Sequence, residues 1–261
     1  MKITSTSNPR VKEIVRLRNR RERKETGLFC VEGFREIRRA LDADIEMTEL
    51  WICPPLYLGE HEAELVQRAT AEVVEASEEP FRKLAYRDRP EGLLAVCRQF
   101  DTTLEHLALR EAPLVLVVEA IEKPGNLGTM IRTATAAAAD AVIVADPTTD
   151  VFNPNVVRAS IGTLFAMPIA VCTTDDAIAW LHDKEIAICA ATPSASTPLW
   201  KAPLDGNVAL IVGAEQYGLS DRWLDEADLK VKIPMPGDAI DSLNAATSAS
   251  VLLFEAVRQR A

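Results

Sequence analysis

The stretch Leu114-Val115-Leu116-Val117-Val118 decides the fold, because an unbroken apolar run is typical of a strand covered on both faces of a sheet. Similar runs recur downstream, with helical patterns at 127–139, 154–165, 175–183, 220–226 and 242–259. This alternation predicts an α/β domain built on a mostly parallel sheet with helices on both faces. The further predicted strands are Ala141–Val144, Ile169–Val171, Ile186–Ile188, Val208–Val212 and Val231–Ile233.

A second alternation of strands and helices fills the first hundred residues and predicts a small α/β sandwich. Asn8 is placed to cap a basic helix that begins at Pro9. The apolar pattern thins over residues 101–112, so we expect domains at 1–100 and 113–261 joined by a linker. The predicted strands here are Leu28–Val31, Leu50–Cys53, Val73–Val74 and Leu93–Val96, and the later helices are Phe34–Leu41, Glu62–Ala71 and Pro80–Ala85.

Charge is distributed very unevenly along the 261 residues. The net charge is −10, yet residues 1–40 hold twelve Lys and Arg against five Asp and Glu, which is +7 and leaves −17 on the remainder. A basic end on an acidic protein is typical of a nucleic-acid binder, and a solvated basic helix is an equally compatible interpretation. The cations predicted to contact RNA are Arg10, Arg16, Arg18, Arg20, Arg21, Arg23, Lys24 and, in the second domain, Arg158.

Several classes of protein are disfavoured by the composition. No apolar run approaches the roughly 18 to 20 residues that cross a bilayer, and the N-terminus has no apolar stretch like that of a secretory signal, so we expect a cytoplasmic protein. The five cysteines form no C-x-x-C pair and the three histidines are scattered, so we expect reduced core cysteines and no metal site.

Three loops after predicted strands carry unusual residues, and ligands of such sheets bind at the carboxyl ends of strands. The first is Pro124-Gly125-Asn126-Leu127-Gly128, leading into a helix with Arg132. The second runs from Gly213 to Ser220 and holds Glu215. The third reads Ile233-Pro234-Met235-Pro236-Gly237 and is followed by Ser242-Leu243-Asn244, where Ser242 is predicted to cap the last helix. Each loop alone is as compatible with structure as with function.

Together these loops resemble the SpoU (TrmH) family of RNA ribose 2′-O-methyltransferases over residues 113–260. Asn153-Pro154 and Arg158-Ala159-Ser160 are also similar to family sequence, and residues 1–98 resemble the family's L30e-like substrate-binding domain. The chain departs from the family at several positions, among them Lys123, where Asp is usual, and Ala214, where Asn is common.

The resemblance implies S-adenosylmethionine bound in a SPOUT-type trefoil knot, a homodimer, and RNA, most often ribosomal, as partner. In the family the arginine at the position of Arg132 is often proposed as the general base. Because a guanidinium keeps its proton, we expect Arg132 instead to clamp phosphate and stabilise the oxyanion, and the sequence leaves both roles open. The implied catalytic set is Arg132, Asn126, Glu215, Ser242 and Asn244. The implied cofactor-binding residues are Thr192, Gly213, Glu215, Gly218, Ile233, Met235, Ser242, Leu243 and Asn244.

Three alternatives stay open at this point. One is a non-catalytic RNA-binding protein with a decayed cofactor pocket. Another is the same methyl transfer on transfer RNA. The third is a nucleotide-dependent oxidoreductase, which loses its main support because the Gly-x-Gly-x-x-Gly turn is absent from the first loop.

Overall fold

The computed structural model describes residues 2–237 and 242–261. Residue contacts divide the chain into two compact units. The first contains residues 1–100 and 150–166, and the second contains 101–149 and 167–261. The sequence had placed 150–166 with the second domain, whereas in the structure this segment packs with the first unit, where the ring of Phe152 lies 5.0 Å from the ring of Phe29.

The first unit is built on a five-stranded mixed sheet in the order β1-β4-β3-β5-β2, in which β5 runs antiparallel to β3 and β2. Helices alternate with the strands as the sequence predicts, and the predicted bounds hold to within a few residues. The elements are β1 (Lys2–Ile3), α1 (Pro9–Arg16), α2 (Arg20–Thr26), β2 (Leu28–Glu32), α3 (Phe34–Asp42), β3 (Met47–Ile52), α4 (Glu62–Arg68), β4 (Glu72–Ala76), α5 (Glu78–Leu84) and β5 (Leu93–Arg98).

The basic N-terminal segment forms two helices. Asn8 caps α1 by accepting a hydrogen bond from the Arg10 amide, as predicted. Asn19 then caps α2 by accepting from the Arg21 amide at 3.0 Å, because its short polar side chain satisfies an otherwise unpaired backbone donor. The two-residue strand β1 was not predicted, since a pair of residues carries no periodic signal.

The second unit is built on a seven-stranded, all-parallel sheet in the order β10-β12-β9-β11-β6-β7-β8. The predicted α/β architecture is therefore confirmed, while the trefoil knot remains a prediction. Its elements are β6 (Leu114–Glu119), α6 (Pro124–Ala136), β7 (Ala141–Ala145), α7 (Pro154–Ala159, in the first unit), β8 (Ile169–Cys172), α8 (Thr174–Asp183), β9 (Ala187–Ala191), β10 (Thr197–Pro198), β11 (Val208–Val212), α9 (Asp221–Glu226), β12 (Leu229–Lys232) and α10 (Ala245–Gln259).

Both faces of this sheet are covered. Val115, Val117 and Ile211 pack in one cluster with Leu181 of α8 and Trp223 of α9. Residues that alternate with them point to the opposite face, where α6 and α10 contact each other and the central strands. Burial on both faces explains why these strands are continuous apolar runs. It also leaves the strand ends as the place where polar residues collect.

No helix in the described part of the chain is long and apolar enough to cross a membrane.

Candidate functional site

A cavity of about 540 Å³ lies at the carboxyl ends of β9, β11 and β12 in the second unit. Its walls combine backbone of the loop after β11 with apolar side chains such as Val231 and Leu219. Eight of the nine residues predicted to bind the cofactor line it, and Asn244 is the exception. The eight are Thr192, Gly213, Glu215, Gly218, Ile233, Met235, Ser242 and Leu243.

The loop after β11 closes on itself at the cavity wall. The Gly218 amide donates to the Ala214 carbonyl at 3.0 Å, and Gly218 has a φ of +68°, which glycine adopts without strain. A Cβ on Gly213 would lie 2.2 Å from the Gly218 carbonyl oxygen. Gly213 is therefore required by close backbone approach, and a larger residue there would displace the loop as well as fill the cavity.

Beside the cavity, three polar side chains meet around Glu215, namely those of Lys123, Asn126 and Asn244. Asn126 Nδ2 donates to Glu215 Oε1 at 2.7 Å, and Asn244 Nδ2 donates to the same oxygen. Lys123 Nζ forms an ion pair with Glu215 Oε2. A second, longer hydrogen bond of 3.3 Å joins Asn244 to Asn126. We call Lys123, Asn126, Glu215 and Asn244 the Glu215 cluster.

Electrostatic interactions in this cluster favour the ionised form of Glu215 over the protonated form. Hydrogen bonds from Lys123 and then from Asn126 lower the pKa of Glu215 below its ordinary value of 4.5. From the sequence, Lys123 is only a departure from the family and has no predicted role. A cation four residues after β6, facing an acid of another strand-end loop, is the signal that could have identified it.

The start of α10 differs from the prediction. Ser242 does not cap the helix, because Asn244 holds that position and its Oδ1 accepts from the Ala246 and Thr247 amides at 3.0 and 3.3 Å. Asn244 thus uses its oxygen to cap the helix and its nitrogen to bind Glu215. Ser242 instead lies on the cavity wall.

Arg132 lies on α6 and is exposed. Within residues 2–237 and 242–261, no side-chain hydrogen bond or ion pair holds its guanidinium, and none joins it to the Glu215 cluster. The structure therefore brings Asn126, Glu215 and Asn244 together and leaves Arg132 apart from them. An uncommitted, exposed guanidinium is available to an anionic ligand.

The buried carboxylate of Glu119 holds the loop that carries Glu215 by hydrogen bonds to Ser220. Glu119, at the end of β6, is 5% exposed and accepts from the Ser220 amide at 2.8 Å and from the Ser220 hydroxyl at 2.6 Å. Ser220 precedes α9 but its side chain makes no cap bond in the described structure, since its hydroxyl is committed to Glu119. The sequence did not single out Glu119.

The predicted RNA-binding cations separate into two groups. Arg23 is 1% exposed and donates to the Leu17 and Arg18 carbonyls and to Asp150, so the prediction that it contacts RNA is wrong. Arg10 pairs with Glu49 and Glu72. These guanidinium groups hold the first unit together.

Arg18 belongs with the structural group, because it donates to the Ala85 carbonyl at 2.7 Å and stacks over the Tyr86 ring. The remaining predicted cations are exposed. Arg16 and Lys24 project from α1 and α2, and Arg20 and Arg21 from the first turn of α2, where Arg21 also pairs with Glu25. Arg158 belongs to the first unit and lines a different cavity, described below.

The cysteines and potential metal ligands among the described residues form no second candidate catalytic or metal site. All five cysteines are free thiols, four of them buried, and burial raises the pKa of Cys30 and Cys189 to about 12. Among the described residues, no group of three or more His, Cys, Asp or Glu side chains is arranged to hold a metal ion.

Comparison with known proteins gives matches over both parts of the chain. The SpoU rRNA Methylase family matches residues 113–254, and the MRM3-like substrate binding domain matches residues 8–95. The 23S rRNA (guanosine(2553)-2′-O)-methyltransferase RlmP of Bacillus subtilis is 31% identical over 97% of each chain.

Two solved structures are similar over nearly the whole chain. An RNA 2′-O ribose methyltransferase is 41% identical with a TM-score of 0.88, covering 100% of this chain and 99% of its own. The AdoMet-bound rRNA methyltransferase from Sinorhizobium meliloti is 32% identical with a TM-score of 0.90, covering 99% of this chain and 97% of its own.

Proposed function

Because the chain belongs to the SpoU rRNA methylase family, we propose that it methylates a ribose 2′-hydroxyl in 23S ribosomal RNA. It is an RNA 2′-O-methyltransferase, and S-adenosylmethionine is its methyl donor. The observation that carries the assignment within this molecule is that the second and third loops line one cavity, while Asn126 of the first loop joins Glu215 and Asn244 in the polar cluster beside it. A nucleotide-dependent oxidoreductase would not require that arrangement.

The 540 Å³ cavity fits the cofactor, since its volume lies in the usual range of ligand pockets and its walls mix apolar side chains with backbone polar groups. When bound, S-adenosylmethionine supplies a sulfonium methyl group. Val231, Ile233 and Leu219 would pack against the adenine, and Gly213 would let the ligand approach backbone. Asn244, which does not line the cavity, would act on the catalytic cluster instead.

The residues beside the cavity would orient the nucleotide and stabilise developing charge. The Glu215 carboxylate, whose pKa is lowered, is ionised at neutral pH and fixes the amide groups of Asn126 and Asn244. Arg132 would hold the neighbouring phosphate and stabilise the negative charge that develops on the 2′-oxygen during methyl transfer, while the hydroxyl proton passes to solvent water; a permanently charged guanidinium can do this. Holding both reactants in place supplies a further part of the rate effect.

RNA attraction would come from the exposed cations of the first unit, Arg16, Arg20, Arg21 and Lys24, since the remainder of the chain is acidic. Residues 1–100 would thus serve as the RNA domain, in keeping with the substrate-binding match over 8–95. Ribosomal RNA is favoured over transfer RNA by full-length relatives that act on 23S rRNA. A cytoplasmic location follows from that substrate.

A homodimer is the assembly we propose. Val251 and Phe254 of α10 are 38% and 50% exposed and lie three residues apart, so they form an apolar ridge on one helix face. A second copy of the chain would cover them. Phe254→Glu should then give a monomer by light scattering, whereas Phe254→Leu should keep the dimer, and a monomeric parent chain would contradict the proposal.

The methyl-transfer proposal is tested with the full chain, S-adenosylmethionine labelled in its methyl group, and ribosomal RNA lacking native modification. We expect label in 23S RNA that resists alkaline hydrolysis at one phosphodiester, because a methylated 2′-oxygen cannot attack the adjacent phosphorus. Transfer RNA serves as the comparison substrate. Label on a base, or cofactor binding without any transfer, would overturn the proposal.

A further inference from the structure

The first unit contains a cleft of about 880 Å³ that is separate from the cofactor cavity. Its lining comes from α3, from the segment between α5 and β5, from residues 58–62, and from α7 and Ile161. We call it the first-unit cleft. All of its residues belong to the same compact unit, so its shape does not depend on the second unit.

Three arginines line this cleft with uncommitted guanidinium groups. Arg35 lies in the first turn of α3, Arg89 follows α5, and Arg158 lies on α7, and all three are exposed. In the described residues, no hydrogen bond or ion pair holds any of them, in contrast to Arg10, Arg18 and Arg23. Arginine without a protein partner suits phosphate, which it binds through two parallel N–H donors.

The segment that carries Arg89 is held in place by its neighbour Arg87. Arg87 donates to Glu36 at 2.8 Å and pairs with Glu91, and its amide donates to Glu32. Glu32 and Glu36 are 7% and 4% exposed, so this is a buried network and not a surface ion pair. The segment that carries Arg89 is therefore anchored to two buried carboxylates at the floor of the cleft.

Carboxylates in the same cleft argue against a site that binds only the phosphate backbone of RNA. Asp88 and Glu60 are exposed on its wall and, like the arginines, have no partner in the described part of the chain. Negative charge there would repel a continuous run of phosphates. Carboxylates do accept hydrogen bonds from the amino groups of bases, as Glu and Asp do from cytosine N4.

Phe34 adds a third kind of contact. It lines the cleft and is half-buried, with the guanidinium of Arg38 5.9 Å from its ring centroid. Aromatic and arginine side chains are the surfaces on which unstacked RNA bases are held. Cations, acceptors and an aromatic ring in one cleft match the parts of a single nucleotide better than they match a duplex.

We propose that the first-unit cleft binds an unpaired segment of the RNA substrate, with Arg35, Arg89 and Arg158 on its phosphates and Asp88 and Glu60 accepting from base amino groups. This inference rests on the proposed function for the class of ligand. It places a base-reading site in the substrate-binding unit, distinct from the attraction supplied by the cations of α1 and α2. Bases with an amino group, such as cytosine, are preferred over uracil.

The phosphate contacts are tested on the full chain with the triple variant Arg35→Gln, Arg89→Gln, Arg158→Gln. The control triple is Arg68→Gln, Arg82→Gln, Arg98→Gln, which removes equal charge from the same unit at arginines paired with Asp42, Glu78 and Glu46. For short single-stranded RNA, we expect the cleft triple to reduce the slope of log affinity against log salt by about 2, at roughly 0.7 per contact. Equal slopes in the two triples would overturn the proposal.

The base contacts are tested with oligocytidylate and oligouridylate strands of equal length. Wild-type protein should bind oligocytidylate about tenfold more tightly, and Asp88→Asn with Glu60→Gln should lose that preference. An unchanged ratio in this double variant would show that the carboxylates do not read the base. The matched control is Asp42→Asn with Glu46→Gln, at exposed acids outside the cleft.

Cofactor titration of every variant separates this inference from the proposed function. The cleft variants should bind S-adenosylmethionine as wild type does, because the cofactor cavity lies in the other unit. If wild type methylates ribosomal RNA while the cleft triple behaves like its control, the cleft proposal alone fails. If wild type binds no cofactor, the proposed function fails, whatever the cleft variants do with RNA.

Discussion

Asn126 donates its side-chain amide to Glu215 Oε1 at 2.7 Å, although the two residues are 89 positions apart in the sequence. Asn126 lies in the first turn of α6, after β6, and Glu215 follows β11, which is the parallel neighbour of β6. The bond exists because neighbouring parallel strands end at the same edge of the sheet. The Glu215 cluster therefore forms because the order of strands in the sheet places these two loops side by side.

Filling the cavity from one wall should abolish cofactor binding. Ser248 lies on α10, lines the cavity and makes no side-chain hydrogen bond to the described residues, so Ser248→Trp adds volume without breaking such a bond. Titration calorimetry should detect no binding of S-adenosylmethionine. Ser196→Trp, at an exposed serine of the same unit outside the cavity, should bind normally. Normal affinity in Ser248→Trp would remove this cavity as the cofactor site.

Gly213→Ala should lower both stability and cofactor affinity. Its Cβ would lie 2.2 Å from the Gly218 carbonyl oxygen and 2.5 Å from the Leu219 nitrogen, so backbone must move, at a cost of roughly 1–3 kcal/mol in unfolding free energy. Gly206→Ala is the matched control, since a Cβ there has no described atom within 4 Å. Denaturant unfolding of both variants checks the difference, and equal stabilities would contradict it.

Replacing Lys123 should move the titration of Glu215 to higher pH. In the folded protein, Lys123 lowers the pKa of Glu215 below 4.5, so the stability that the ionised cluster contributes is present above 4.5 and is lost as pH falls through the lowered pKa. In Lys123→Met this loss should begin at higher pH. Carbon-detected NMR of the Glu215 carboxyl group measures the shift, and Lys184→Met, at a lysine outside the cluster that pairs with Asp183, should leave it unchanged.

Arg132 should affect the chemical step more than folding or cofactor binding. Its guanidinium has no side-chain partner in the described structure, so Arg132→Ala should melt at the wild-type temperature. Methyl transfer should fall roughly 100- to 1000-fold, as expected when a group stabilising an oxyanion is removed. Arg132→Lys should also lose most activity, because the compact ammonium group of lysine cannot replace the planar guanidinium and its paired N–H donors. A lysine variant with normal kcat would exclude the clamp role.

Arg23→Leu should lower the unfolding free energy of the first unit, and this effect should not depend on RNA. The change removes a buried cation that donates to the Leu17 and Arg18 carbonyls and leaves the carboxylate of Asp150 unpaired. The expected loss is roughly 3–5 kcal/mol of unfolding free energy. Lys24→Ala, at the exposed neighbouring cation, should change it by no more than about 0.5 kcal/mol. Similar stabilities for the two variants would show that the buried network contributes little.

Much of the fold was predictable from local patterns. Runs such as Leu114–Val118 predicted strands buried on both faces, and Asn8-Pro9 predicted the start of α1, because hydrophobic periodicity and capping act over a few residues. Among the elements that were missed, β1 and β10 have only two residues each and carry no periodic signal, and α2 was not separated from α1. The loops that carry Asn126, Glu215 and Asn244 were found through ordered motifs and not through any single residue.

The sequence by itself determined that polar residues would follow buried strands at several places, and that positive charge would collect in the first forty residues. Only the tertiary structure decided how those charges are used. Arg23 and Arg16 are the same residue type in the same basic segment, yet one is buried against Asp150 and the other is exposed. Asp150 lies 127 positions from Arg23, and local sequence carries no information about a partner at that distance. The same reason explains why Lys123 acquired a role only when folding placed Glu215 beside it.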